Sequence, residues 1–231
     1  MLLQFRSDEK EYLDNSDIET KDLYLNLAEL DTINKHLGGY KASRKGLSTI
    51  LETHTVHTIL DIGFGGGDSI KQLSKLADKK NIKLFFYGVD YKKDCVKYAE
   101  NNLYLVINKQ LICSDYRDIS NELLKKVDVI HCSLFLHHLS NDEIISLFEF
   151  GKSNRCIILA NDLHRHWFAY FSIKFLTQIF SKSWLVKNDA PISVKRGFKK
   201  SELISLISQA GFTNYSVKWS WAFRYIITAY D

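Results

Sequence analysis

The sequence predicts an α/β fold, a doubly wound sheet that is mostly parallel and ends in an antiparallel C-terminal strand pair. Three observations predict it. Five short apolar runs recur between residues 59 and 161 with helical patterns between them, the order that builds a parallel sheet covered on both faces. The first three end at or just before an acid, Asp61, Asp90 and Asp115. The chain then closes on two strand-like runs joined by a tight turn.

The elements follow in order. Residues 1–56 read as a helical N-terminal extension, with Leu23, Leu27, Leu30 and Ile33 on one face. Gly38-Gly39-Tyr40 gives it a flexible point, so that it can lie over a ligand. Residues 57–231 read as the main domain. Its first strand, from Ile59, runs into Asp61-Ile62-Gly63-Phe64-Gly65-Gly66-Gly67-Asp68, and a helix with Ile70, Leu73 and Leu76 on one side follows. Lys83 to Asp90 is the second strand, Lys92 to Asn102 a helix, and Leu111-Ile112-Cys113 the third strand. A short helix near 121–126 and a strand from Val127 to Leu134 come next. Ser140 with Asp142 and Glu143 marks a helix start, and Arg155 to Asn161 is the fifth strand. Residues 163–198 form a lid-like insertion holding an aromatic amphipathic helix, Trp167 to Phe180. Lys200 to Ala210 is a helix stopped by Gly211, before strands at 215–221 and 223–229.

Composition narrows the function. The chain has 231 residues, 45% of them hydrophobic, enough for one good core. A net charge of +4 without a dense basic block gives no sign of nucleic-acid binding. The four cysteines show neither CxxC pairing nor zinc spacing, so no metal site is expected and the thiols read as reduced. A reducing cytoplasm is the expected compartment. Met1 to Lys10 lacks the apolar stretch of a signal peptide, and no run reaches the ~20 apolar residues that span a bilayer. Stable membrane insertion is therefore not expected. Oligomeric state is not readable.

The glycine loop carries the chemistry. Its glycines let backbone N–H groups approach a ligand closely, and Asp61 sets a negative charge beside them. That suits a ligand bearing an amine, such as S-adenosylmethionine. A dinucleotide fingerprint wants a third glycine where Asp68 stands, and an acid there repels a pyrophosphate. Acids at strand ends also suit a ribose diol, since one carboxylate accepts two hydroxyl protons. Helix capping remains the alternative role for Asp90 and Asp115.

Four motifs in order resemble those of the class I S-adenosylmethionine-dependent methyltransferases, from Ile59 to the C-terminus. These are Asp61-x-Gly63-x-Gly65-x-Gly67, Gly88-Val89-Asp90, Cys113-Ser114-Asp115-Tyr116, and Asp128-Val129-Ile130 to Leu136-His137-His138-Leu139. The resemblance implies a Rossmann-like fold. It implies that the glycine motif holds the methionine part of the cofactor, that Asp90, followed by Tyr91, binds the ribose, and that Asp115, with Tyr116, receives the adenine amino group. Cys132 and Ser133 at the fourth strand end complete the expected cofactor site. Ser133 to His138, Asn161 to His166, Ser193 to Phe198 and Trp219 to Tyr225 are similar to bacterial small-molecule methyltransferases found alongside type III polyketide synthases. That likeness implies a phenolic or polyketide acceptor from secondary metabolism. Phe64 stands where many relatives have a smaller residue.

Methyl transfer from a sulfonium is an in-line displacement, so positioning dominates and a base adds rate when the acceptor is a hydroxyl. Histidine suits that task near neutral pH. His164, just beyond the fifth strand, is the expected base, with Asp162 orienting it or binding substrate. Surface histidines beside a capping Asp162 are the alternative. His137 is a further candidate for contact with cofactor or substrate, while His131, in mid-strand, reads as a hydrogen-bonded core residue. The aromatic helix is either a lid packed on the core or a greasy wall for an apolar or aromatic acceptor, with shallow membrane contact as a third role. Trp219, Trp221, Phe223 and Arg224 either line the same cavity or pack the strand pair. An NAD(P)-dependent oxidoreductase and a non-catalytic S-adenosylmethionine-binding protein remain the competing functions.

Overall fold

The computed structural model describes residues 3–15 and 17–231. Met1 and Leu2, part of the segment read for a signal peptide, lie outside the described residues, as does Ser16. Seven strands form one sheet: β1 Thr58–Ile62, β2 Phe85–Asp90, β3 Lys109–Cys113, β4 Val129–Ser133, β5 Ile157–Leu163, β6 Asn214–Ser220 and β7 Arg224–Tyr230. Their order is β3-β2-β1-β4-β5-β7-β6. The first five are mutually parallel, and β7 runs antiparallel to both β5 and β6. The expected Rossmann-like sheet is therefore present, and the chain order reverses at β1, flanked by β2 and β4. Ligands of such sheets bind outside the strand carboxyl ends at that switch point.

The helices are α1 Thr20–His36, α2 Gly39–Leu51, α3 Asp68–Lys79, α4 Lys93–Asn102, α5 Asn121–Leu124, α6 Asn141–Ser153, α7 Trp167–Phe180, α8 Trp184–Arg196 and α9 Lys200–Gln209. Two apolar clusters cover the two sheet faces. On one face Leu47 of α2, Leu73 of α3 and Ala99 of α4 pack with Ile59, Val129 and Leu159. On the other, Phe148 of α6 and Leu203 of α9 pack with Leu60, Ile130 and Ile158. The alternation along each strand follows from the two-residue side-chain period of β structure.

Two expectations change in detail. The double glycine, read as a flexible point, is a tight turn between two helices. Gly38, at φ 77°, turns α1 directly into α2, which packs on the sheet through Leu47 and Ile50. The segment after β5 holds two helices rather than one, because Ser183 caps α8 by accepting from the Val186 N–H. α7 buries only Tyr170 and Thr177, and exposes Trp167, Phe171, Phe175, Ile179 and Phe180. No helix among the described residues is long and apolar enough to cross a membrane.

Candidate active site

At the end of β1 the backbone turns sharply through Gly63 (φ 66°), Gly65 (φ 55°) and Gly67 (φ 79°). A Cβ at Gly67 would also meet the Leu103 side chain at 2.7 Å, so only glycine fits the approach of α3 to α4. The loop is pinned to β2: the Gly63 N–H donates to the Val89 carbonyl at 2.8 Å and the Gly65 N–H to Asp90 Oδ2 at 2.9 Å. Asp90 Oδ1 accepts from the Lys92 N–H at 2.9 Å. Burial pushes the Asp90 carboxyl up from its ordinary pKa.

Asp61 is buried, and Oδ1 accepts from His131 Nδ1 at 2.6 Å, while Oδ2 has no partner among the described residues. Its neighbours form a polar row across the sheet under α2. His131 Nε2 lies 2.9 Å from Ser43 Oγ, Asn161 Nδ2 donates to Ser43 and to Ser133, and the Arg224 guanidinium faces Asn161 and Asn34. Asp61, His131, Asn161 and Arg224 share one sheet face because they share strand parity. Burial lowers the Arg224 pKa to about 10. His131 is thus the hydrogen-bonded core residue the sequence suggested.

One cavity of about 620 Å³ opens over these strand ends, inside the range of about 300–1,000 Å³ typical of small-molecule sites. Gly63, Gly65, Asp90, Tyr91, Asp115, Tyr116 and Ser133 line it; Asp61, Gly67 and Cys132 are not among its lining residues. Burial lifts the Cys132 thiol well above its ordinary value. Asp115 accepts from the Arg117 side chain and N–H, so it caps its own turn while facing the cavity, and Arg117 holds its carboxyl low. Asp68 also lines the cavity; burial raises it to about 6 although Asn102 donates to it at 2.7 Å.

The far wall is apolar. Leu30, Ile33 and Leu37 of the N-terminal helical region line it together with Ile173 and Leu176 of α7 and with Trp221 and Phe223 from the β6–β7 turn. Phe168, Ala169, Ser172, Ile173 and Leu176 of α7 line the cavity, while Trp167, Phe171, Phe175, Ile179 and Phe180 stay exposed outside it. Trp219 does not line it.

Between the two walls His137 and His138 follow β4 in a short 3₁₀ turn, Leu136–His138. Asp162, fully buried at the end of β5, accepts from His137 Nδ1 at 2.7 Å and from the His137 N–H at 3.2 Å. Burial alone would depress the His137 imidazolium, but the Asp162 and Glu11 carboxylates outweigh it and push the pKa up to about 9. Glu11 and Asp14 come from an N-terminal strap, residues 3–15, that lies across this turn. Arg6 fastens the strap by donating to the carbonyls of Arg196, Leu136, His137 and Leu139 while its guanidinium covers the Phe198 ring at 4.4 Å. Arg196 of α8 donates to the His137 and His138 carbonyls.

His164 is placed differently from the expectation. It is not among the cavity-lining residues, and its ring packs against His166, Phe223 and Tyr225. Its N–H is tied to the Phe223 carbonyl, and burial, with Lys199 nearby, lowers its pKa to about 4. Asp162 orients His137, not His164, because β5 ends at Leu163 and the His164 backbone turns away to bridge Phe198. The functional groups that sequence reasoning missed are Arg6, Glu11, Asp14 and Arg196. No local pattern marks them.

Comparison with known proteins places this geometry. Residues 59–150 match a family model described as a methyltransferase domain. No curated protein matches the chain. Among solved structures, the plantazolicin methyltransferase BpumL in complex with S-adenosylhomocysteine is 18% identical, covering 94% of this chain and 91% of its own at a TM-score of 0.68. A SAM-dependent methyltransferase from Aquifex aeolicus is 17% identical over 92% of this chain and 98% of its own, at 0.59. The magnesium protoporphyrin IX methyltransferase of Synechocystis with bound S-adenosylhomocysteine is 15% identical over 84% and 82%, at 0.54. The fold is the one these methyltransferases share.

Proposed function

We propose that this protein is an S-adenosylmethionine-dependent methyltransferase that methylates oxygen on a small apolar or aromatic acceptor, a phenolic or polyketide-type product of secondary metabolism. The observation that carries this reading is one cavity lined by the glycine loop, Asp90, His137 and the apolar residues of α7.

The residues fit the donor. The unpartnered Oδ2 of buried Asp61 would accept from an ammonium group, and Gly63, Gly65 and Gly66 bring bare backbone to the cavity lining. Asp90 and Tyr91 take the ribose, Asp115 and Tyr116 the adenine, and Cys132 and Ser133 back the methionine end. When bound, the cofactor supplies an electrophilic methyl group on a sulfonium. The chain does the rest by positioning: the apolar wall holds the acceptor and excludes water, and the Glu11–His137–Asp162 cluster meets its polar atom. His164 supports the wall behind Phe223. A reducing compartment keeps exposed Cys113 a thiol.

Transfer of a radiolabelled methyl group to a panel of phenols, hydroxylated polyketides and azole peptides tests this. The azole peptides are included because BpumL has been crystallised with azolic desmethylplantazolicin analogues. Label on a phenolic oxygen is expected. Label only on nitrogen overturns the acceptor class, and cofactor binding without transfer to any acceptor identifies a non-catalytic binding protein.

A further inference from the structure

We infer that Glu11, His137 and His138 form a binding site for a first-row divalent metal ion, zinc being the natural occupant, at the acceptor end of the cavity. Each residue offers one ligand atom, and these atoms lie within 4.8 Å of one another. His137 Nε2 is 3.5 Å from Glu11 Oε1, and His138 Nε2 is 4.0 Å from Glu11 Oε2. Those separations exceed the usual 2.7–3.2 Å of N–H···O hydrogen bonds. The carboxylate therefore stands between two imidazoles without bonding closely to either. Ligands of tetrahedral zinc sit about 3.3 Å apart when metal bonds are near 2.0–2.1 Å, so side-chain shifts of about an ångström close the set.

The outer partners give a second, independent argument. His137 Nδ1 is held by Asp162 at 2.7 Å, and His138 Nδ1 by Asp14 at 2.8 Å. Each carboxylate fixes the tautomer that leaves Nε2 free to ligate, the arrangement found around metal-binding histidines. Glu11 Oε1 is oriented by the Ser193 hydroxyl at 2.8 Å. Three carboxylates, Glu11, Asp14 and Asp162, thus face two imidazoles. The nearby Arg196 guanidinium reaches Asp14 at 3.6 Å but spends its other donors on the carbonyls of Glu9, His137 and His138. Two nitrogens and one oxygen suit zinc or a neighbouring divalent cation, and three protein ligands leave a coordination position open.

All three ligands line the cavity, so that open position faces the acceptor. The site stands on its own geometry; its part in catalysis rests on the methyl transfer proposed above. An acceptor hydroxyl bound there loses its proton to solvent, and the resulting oxygen forms the new C–O bond. The C–S bond breaks with its electron pair going to sulfur, and S-adenosylhomocysteine departs.

Cobalt(II) titration of the full chain, without a histidine tag and after chelator treatment, tests the site. One equivalent with the visible bands of tetrahedral nitrogen–oxygen coordination, displaced by zinc, is expected. His138→Ala and Glu11→Gln are expected to weaken binding by tenfold or more, and Asp14→Asn by roughly tenfold. Zinc should also slow amide exchange in residues 9–15, since it ties the strap to the turn, a readout that needs no variant. No stoichiometric binding by the wild-type chain, a thiolate-to-cobalt band indicating cysteine ligation, or equal affinity in His138→Ala overturns the proposal. S-adenosylhomocysteine calorimetry on the same metal-free protein separates the two readings. Cofactor binding without metal binding removes the metal site alone; metal binding without cofactor binding removes the methyl-transfer reading alone.

Discussion

At the donor end of the cavity each polar group sits at or within a few residues of a strand's carboxyl end: Asp61 on β1 and Gly63 just after it, Asp90 on β2, Asp115 after β3. At the acceptor end the groups that meet come from separated parts of the chain. Glu11 lies on the strap, His137 after β4, Asp162 on β5 and Arg196 at the end of α8. The donor end is thus a property of the sheet and its turns. The acceptor end exists only once the strap has docked, and its geometry depends on Arg6 and Arg196 holding one short turn from two sides. Substitutions at the two ends should separate cofactor affinity from acceptor turnover.

The largest effect is expected from Asp90→Ala. Its carboxylate supports Gly65 and is placed to bind the ribose, and two charge-assisted hydrogen bonds amount to about 3 kcal/mol, roughly a hundredfold. Calorimetry with S-adenosylhomocysteine should show that loss with the fold intact by circular dichroism; a change under about fivefold would break the assignment. Arg6→Ala should do the reverse. It unfastens the strap, so kcat/KM for the acceptor falls by roughly ten- to a hundredfold while cofactor affinity moves by less than about threefold. Equal losses in both would show that the strap serves the whole cavity.

The histidines sharpen the contrast through pH. His137, raised to about 9 in the fold, stabilises fully below its ordinary value of 6.5 and loses that contribution as pH rises through 9. Urea melts of the wild type between pH 6 and 10 should lose on the order of 3 kcal/mol that His137→Gln does not. His164 has the opposite sign. Lowered to about 4, it leaves stability intact above 6.5 and costs stability as pH falls toward 4. His164→Gln should therefore flatten the acid side of the profile and change turnover by less than about twofold, the smallest effect of the four. A large loss of turnover would return His164 to the role of base.

Legibility followed the same division. The glycine loop, the strand-end acids and the antiparallel closing pair were readable because each is a local pattern whose meaning depends on a few neighbours. Which face of β5 a side chain takes was not. Asp162 and His164 have the same parity and were assigned together, yet the strand ends at Leu163, and the backbone of His164 turns away to bridge Phe198. Two helices after β5 read as one because the break at Ser181–Ser183 contains no glycine or proline. Glu11 and Asp14 lie in a polar segment without periodicity, and only long-range contacts give them a partner.

The central claim is that the crevice over β1 and β2 accepts an adenosyl sulfonium, and titration calorimetry with S-adenosylhomocysteine tests it most directly. One site per chain with micromolar affinity is expected, abolished or strongly weakened in Asp90→Ala and undisturbed by NAD(H). Heat with NAD(H) and none with S-adenosylhomocysteine or S-adenosylmethionine would contradict it.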